Sequence, residues 1–293
     1  FGYLLSELFR QITFFVLLYF NKKVHLCKKN KMKTVAPYKP LTPSGKGISF
    51  ENRPLEDFSK EEITELLNKY HWIAFKKNEI SLGDLTNYLE QFGSVVKNDR
   101  RDGAVLKVDG GKKEEVFLGN GFLPLHKDGL LMGNNVGMVS IFCMEYNEVS
   151  DGRTFITDIE NAINEVPNEI QDLLRAKGMD VKPLDAYYLT SSDKWYHMSG
   201  FLEVDGKEYL NIGFPYKRGE KSSWLTQIEG LNEDEFYEVF DVLDKAVMDP
   251  KYCYFHDWEK GDILLFDNRK TLHGREAFKG QRALANIQVV FEK

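Results

Sequence analysis

From Gly93 onward the chain is cut into short apolar runs separated by Gly, Asn and Asp, and this texture constrains the fold more than any other feature. Runs at 104–108, 116–118, 139–144, 154–157, 201–204, 209–212, 263–266 and 285–291 have strand length and end in turn residues. A helical pattern at 159–176 interrupts them. A second, at 233–248, puts Phe236, Val239, Phe240, Leu243 and Val247 on one face. Many short strands with a few helices predict a mainly β chain of the α+β class: a double-stranded β-helix, or jelly roll, under helical cover. At 293 residues with 42% hydrophobic side chains, the chain can bury one large core.

The N-terminal part reads differently. Ser59, followed by Glu61 and Glu62, marks a helix start, and 71–75 is a short strand. Ser81 caps a helix at 81–92, where Leu82, Leu85, Tyr88, Leu89 and Phe92 recur at spacings of three and four. Residues 35–54 carry Pro, Gly and Ser and read as an extended lead-in. Before them, the apolar stretch 12–20 is nine residues long, too short to span a bilayer, and Lys22 and Lys23 follow it rather than precede it. The first methionine is Met32. The expectation is therefore a non-structural or upstream segment at 1–31 and a single domain at 32–293.

A net charge of −6 offers no basic footprint for nucleic acid, so the expected partner is a small molecule. Oligomeric state leaves no trace in the sequence. The three cysteines (Cys27, Cys143 and Cys253) are far apart and form no CxxC pair. That argues against a disulfide framework or structural zinc and for a reducing, cytoplasmic setting.

The chemistry concentrates in two segments. In Phe122-Leu-Pro-Leu-His126-Lys127-Asp128-Gly129, strand geometry would put His126 and Asp128 on one face, an imidazole beside a carboxylate. HxD alone is a weak signal. One further histidine would complete a two-histidine-one-carboxylate facial triad, which suits iron(II) and leaves open metal positions. The stretch Trp258-x-x-Gly261-Asp262, Asp267-Asn268, His273-Gly274-Arg275 supplies it in His273. A jelly roll brings such distant strands together across a cavity. Arg282, nine residues beyond His273, has the fork geometry for the distal carboxylate of a keto-diacid. Thr154 could donate a hydroxyl to the same molecule. His71, His197 and His256 lack a partner spacing and read as structural.

HxD, then Thr, then WxxGD, DN and HGR, then Arg: this order resembles the TauD/TfdA family of 2-oxoglutarate oxygenases. Three stretches, 122–129 (FLPLHKDG), 150–154 (SDGRT) and 272–278 (LHGREAF), resemble the PvcB-type enzymes of isonitrile biosynthesis in particular. The resemblance runs from about Gly93 to the C-terminus. It implies His126, Asp128 and His273 as iron(II) ligands, Thr154 and Arg282 as contacts to 2-oxoglutarate, and dioxygen as the second cosubstrate. The gap from His273 to Arg282 is slightly short for the family, which makes Arg275 the alternative arginine. Asn286 stands where taurine-type members carry a second basic residue, which disfavours taurine. Asp128 is a carboxylate ligand where halogenating members have a small residue, so hydroxylation or desaturation is implied. Lys127, Arg275 and Tyr196 are candidates for substrate contact. The narrower implication is conversion of a tyrosine-derived isonitrile to a vinyl isonitrile. The alternatives are a hydroxylase of another amino acid or small carboxylate, and a non-catalytic jelly-roll module that binds metal or sugar.

Overall fold

The computed structural model describes residues 38–51, 53–97, 105–108, 119–129, 136–146, 151–184, 194–280 and 282–291. The expected segment 1–31, the strand at 116–118 and Ser150 lie outside the described residues. The chain parts into two units at Tyr38/Lys39, and every element below belongs to the unit from Lys39.

In chain order the elements begin with β1 (Ile48–Phe50), α1 (Lys60–Tyr70), β2 (Trp72–Phe75), α2 (Leu82–Glu90), β3 (Gly93–Val95), β4 (Val105–Val108), β5 (Leu123–His126), β6 (Val136–Tyr146) and β7 (Thr154–Asp158). They continue with α3 (Ile159–Ala162), α4 (Asn168–Lys177), β8 (Met179–Pro183), β9 (Tyr196–Met198), β10 (Phe201–Val204), β11 (Lys207–Leu210) and β12 (Trp224–Gln227). The last are α5 (Glu233–Val247), β13 (Cys253–His256), β14 (Ile263–Asp267), β15 (Thr271–Arg275) and β16 (Arg282–Phe291).

Local chemistry explains the helix starts. Ser59 accepts from the Glu62 amide while the Glu62 carboxylate accepts from the Ser59 amide, a closed capping box, and Asn232 and Glu235 repeat it before α5. Ser81 caps α2 through the Asp84 amide. The helical stretch expected at 159–176 is helical but divided. A short α3 runs into a 3-10 turn at Ile163–Glu165, and Pro167, which cannot sit inside a helix, precedes α4.

Two sheets make the frame. The larger has seven strands in the order β1-β2-β14-β6-β16-β3, with β4 also on β16; the smaller has four, β13-β7-β15-β5. A three-stranded sheet, β12-β8-β9, and the hairpin β10-β11 extend it. Neighbours in the two main sheets are distant in sequence and mostly antiparallel: β14 pairs with β6, β15 with β7 and β5. This is the wound jelly-roll topology that the texture predicts. The outer face of the four-stranded sheet packs on α5, where Leu125 and Phe155 join Phe236, Phe240, Leu243 and Val247 in one core. A second core, with Trp72, Val139, Ile141, Phe266, Leu284 and Ile156, fills the space between the two sheets beside the site described next. Among the described residues no helix is long and apolar enough to cross a membrane.

Candidate metal centre

His126 is the last residue of β5 and His273 the middle residue of β15, and the two are directly paired across the antiparallel ladder. Opposed side chains on one sheet face must meet, and these ring centroids lie 4.4 Å apart. Asp128 follows β5 by two residues and turns its Oδ1 to both rings, 3.5 Å from His126 Nε2 and 3.6 Å from His273 Nε2. The three donor atoms fall within 4.8 Å of one another, and all three residues are buried.

The surroundings fix these donors. His126 Nδ1 donates to the Pro124 carbonyl at 2.9 Å, so Nε2 is left as a lone-pair donor facing Asp128. The Asp128 backbone is clamped by Asn268, whose Oδ1 accepts the Asp128 amide at 2.9 Å and whose Nδ2 donates to the Asp128 carbonyl at 3.0 Å. Asn286 Nδ2 donates to Asp128 Oδ2 at 2.8 Å. Burial disfavours charge on Asp128, but its close contacts with the His126 and His273 imidazoles and the hydrogen bond from Asn286 hold its carboxyl well below the usual range. Burial, aided by His126, pushes His273 down to about 3. Near neutrality the cluster is thus one carboxylate and a neutral His273 imidazole. Buried nitrogen and oxygen donors converging on one point, with no cationic side chain between them, fit a divalent transition metal, and this set suits iron(II).

A cavity opens onto the triad. Leu123, Thr154, Gly274 and Arg275 of the smaller sheet line one side, and Ile141, Arg282, Leu284 and Asn286 of the larger sheet line the other. Arg282, Leu284 and Asn286 are alternate residues of β16 and therefore share its inward face. Arg282 is 2% exposed, lies 4.1 Å over the Phe278 ring, and donates through Nη1 to the Gly152 carbonyl. Thr154 accepts from the Trp258 indole at 3.0 Å, which leaves its own hydroxyl proton to give. Arg275 shares the inward face of β15 with His273, pairs in register with Thr154, and donates to the Gly121 carbonyl at 2.9 Å. Burial, with Arg282 nearby, pulls Arg275 down to about 9. A buried arginine beside a hydroxyl and an open metal triad fits a dicarboxylate that chelates metal at one end and pairs with a guanidinium at the other.

The remaining candidates sit elsewhere. Lys127 falls between two inward residues, so strand alternation turns it away, and its ammonium donates to the Arg269 carbonyl at 2.7 Å. Tyr196 begins β9, at the edge of the three-stranded sheet, paired in register with Val181. Neither is among the residues lining the cavity. Buried His256 meets Trp258 edge-to-face and lies 3.3 Å from Asp262, bracing the indole that holds Thr154. His71 sits in an ion cluster with Lys46 and Glu160, and His197 pairs with Asp180 at the surface. Sequence reasoning passed over the roles of Asn268 and Trp258, although both lie in the quoted DN and WxxGD motifs.

Gly152 gives a first testable point. Its φ is +90°, and an added Cβ would stand 2.6 Å from Phe278 Cβ and 3.1 Å from Arg282 Nη1. Gly152→Ala is therefore expected to cost about 1–3 kcal/mol in backbone strain, read as a fall of several degrees in Tm. It should also raise KM for the cosubstrate by shifting Arg282. An unchanged Tm with unchanged KM would mean that this turn does not hold the arginine.

A double-stranded β-helix that carries a buried two-histidine-one-carboxylate triad, open on a basic cavity, defines a non-haem iron oxygenase of the 2-oxoglutarate-dependent class. The family model for the taurine catabolism dioxygenase TauD, TfdA family matches residues 37–288, and the chain belongs to that family. Tyrosine isonitrile desaturase of Erwinia amylovora is 26% identical over 206 residues, 68% of each chain. The 3-((Z)-2-isocyanoethenyl)-1H-indole synthase of Fischerella ambigua is 22% identical over 264 residues, 86% of this chain and 94% of that one. Among solved structures, PvcB, an Fe, alpha-ketoglutarate dependent oxygenase from an isonitrile synthetic pathway, superposes with a TM-score of 0.65 at 20% identity, covering 86% of this chain and 87% of that one.

Proposed function

We propose that this enzyme acts on an isonitrile derived from an aromatic amino acid, tyrosine foremost, and removes its carboxylate to leave a vinyl isonitrile. The observation that carries the reading is the pair of buried arginines, Arg275 and Arg282, lining one cavity beside the triad. The names of the relatives give the substrate class.

When bound, iron(II) with 2-oxoglutarate and dioxygen supplies the oxidising power. His126, Asp128 and His273 would hold the metal. Arg282 would pair with the distal carboxylate of 2-oxoglutarate, with the Thr154 hydroxyl donating to the same group. Arg275, on the strand face of His273, would take the substrate carboxylate and so fix which carbon faces the metal. The apolar wall of Leu123, Ile141 and Leu284 would accept the aromatic side and exclude water. In the balanced reaction the benzylic C–H bond and the carbon–carboxylate bond break, and a C=C bond forms. The two electrons released join two from decarboxylation of 2-oxoglutarate to reduce dioxygen, giving carbon dioxide, succinate and water. Buried free Cys143 and Cys253 fit a reducing, cytoplasmic setting.

The test is aerobic turnover with iron(II), 2-oxoglutarate and the tyrosine-derived isonitrile, with substrate and succinate followed together. The expected result is one vinyl isonitrile per succinate. Succinate formed with the isonitrile untouched would overturn the substrate and point to another amino acid or small carboxylate. Absence of any succinate, across a panel of amino acids and carboxylates, would favour a non-catalytic metal-binding module.

A further inference from the structure

We infer that Asn286 is a positioning residue that reserves a single oxygen of Asp128 for the metal. The inference rests on the metal reading of the triad and extends it to a side chain that ligates nothing.

Asp128 lies in the turn after β5 of the smaller sheet, whereas Asn286 stands on β16 of the larger one. Their hydrogen bond, 2.8 Å from Nδ2 to Oδ2, therefore spans the space between the sheets. The two carboxylate oxygens are in different situations. Oδ1 faces both imidazoles at 3.5 and 3.6 Å, and Oδ2 takes the amide of Asn286. The backbone on each side of the carboxylate is held as well, since Asn268 grips both the amide and the carbonyl of Asp128. With backbone and Oδ2 fixed, rotation of the carboxylate that would bring both oxygens to the metal breaks the Asn286 bond.

Asn286 is suited to this. It is 8% exposed and sits mid-strand, paired in register with Ile141 of β6. Its short side chain has few rotamers and its backbone is fixed on a central strand of the sheet. Its amide is neutral, so it occupies one oxygen without cancelling the carboxylate's charge, as a guanidinium would. A ligand that gives one oxygen keeps open a metal position that its second oxygen would close, and the facial triad depends on such open positions. Partners of metal-bound carboxylates commonly tune affinity in this way.

The test compares wild type with Asn286→Leu, which keeps shape and removes the donor, and with Asn286→Ala, which carries the experiment if the leucine variant does not fold. The metal-free proteins are titrated with iron(II) alone, without oxygen. Then 2-oxoglutarate is added at saturating iron, and the weak visible charge-transfer band is followed. Both variants are expected to lose about 10–100-fold in iron affinity. Once loaded, they should also bind 2-oxoglutarate more weakly and give a diminished band, although Arg282 and Thr154 are untouched. A purely structural role would not move the band at saturating iron. Folded variants with wild-type affinity and band would overturn the inference, as would a loss of affinity that merely tracks a fall in Tm. Failure of the wild type to bind iron would instead strike at the metal reading of the triad.

Discussion

Single replacement of His126, Asp128 or His273 by alanine is expected to abolish the visible band of the anaerobic iron(II)–2-oxoglutarate complex and turnover with it. Each residue supplies one of three donors that converge within 4.8 Å, and among the described residues no further His, Cys, Asp or Glu joins the group. The metal contributes several kcal/mol to the reaction, so its loss should lower turnover by about a thousandfold or more. The three variants should differ in one respect. Asp128→Ala removes the anionic donor and leaves only the two imidazoles, so residual iron binding should be weakest there. It also leaves the Asn286 amide facing an empty site. A normal band in any of the three would remove that residue from the metal centre. Normal iron binding without a band, in the wild type, would sink the 2-oxoglutarate assignment and leave the metal site standing.

The fold and the triad were both legible because each rests on local pattern. The strands at 201–204 and 263–266 and the helix at 233–248 match β10, β14 and α5 to within a residue at either end. Their apolar spacing is decisive, and Asn232 and Ser81 supply the caps. Strands β8, β9, β12 and β13 were missed. Each is only three to five residues long, too short for an alternating pattern to stand out, and many of their side chains sit half-exposed. HxD could be read because two residues in one short strand carry it. The direction of Lys127 could have been read the same way, since a residue between two inward neighbours must turn outward.

What could not be read is contact between distant segments. In LHGREAF the sequence offers a match. In the fold, Leu272 enters the core, and a Cβ on Gly274 would stand 2.3 Å from Phe155. Glu276 takes Arg153 of the SDGRT stretch in two hydrogen bonds of 2.6 and 2.7 Å, and Phe278 lies beneath Arg282. Two of the three stretches that carried the resemblance are therefore one structural unit, and its product is the placement of Arg282. Asn286 shows the same limit. By sequence it argues only against a basic residue, whereas in space it reaches Asp128 across the cavity.

That unit makes the second large prediction sharp, because Arg282 and Arg275 line one cavity and were rivals for one role. If Arg282 holds the distal carboxylate, Arg282→Ala leaves that carboxylate buried without its partner. Removing one member of a buried, hydrogen-bonded charge pair costs about 2–5 kcal/mol, which converts to roughly 30-fold to several-thousand-fold. The expected result is a rise of that size in KM for 2-oxoglutarate, with iron affinity in the absence of cosubstrate close to wild type. Arg282→Lys should recover only part, because an ammonium cannot make the paired bonds of a guanidinium. Arg275→Ala should behave differently, leaving the iron–2-oxoglutarate band intact and raising KM for the carboxylate substrate. It should also release succinate formation from substrate oxidation, since a substrate no longer anchored would face the metal poorly. Reversal of the two phenotypes would exchange the arginines' roles while leaving the chemistry of the cavity in place. Loss of cosubstrate binding in both variants would mean that one dicarboxylate spans the two guanidinium groups, and the substrate carboxylate would then have to be sought at another side chain.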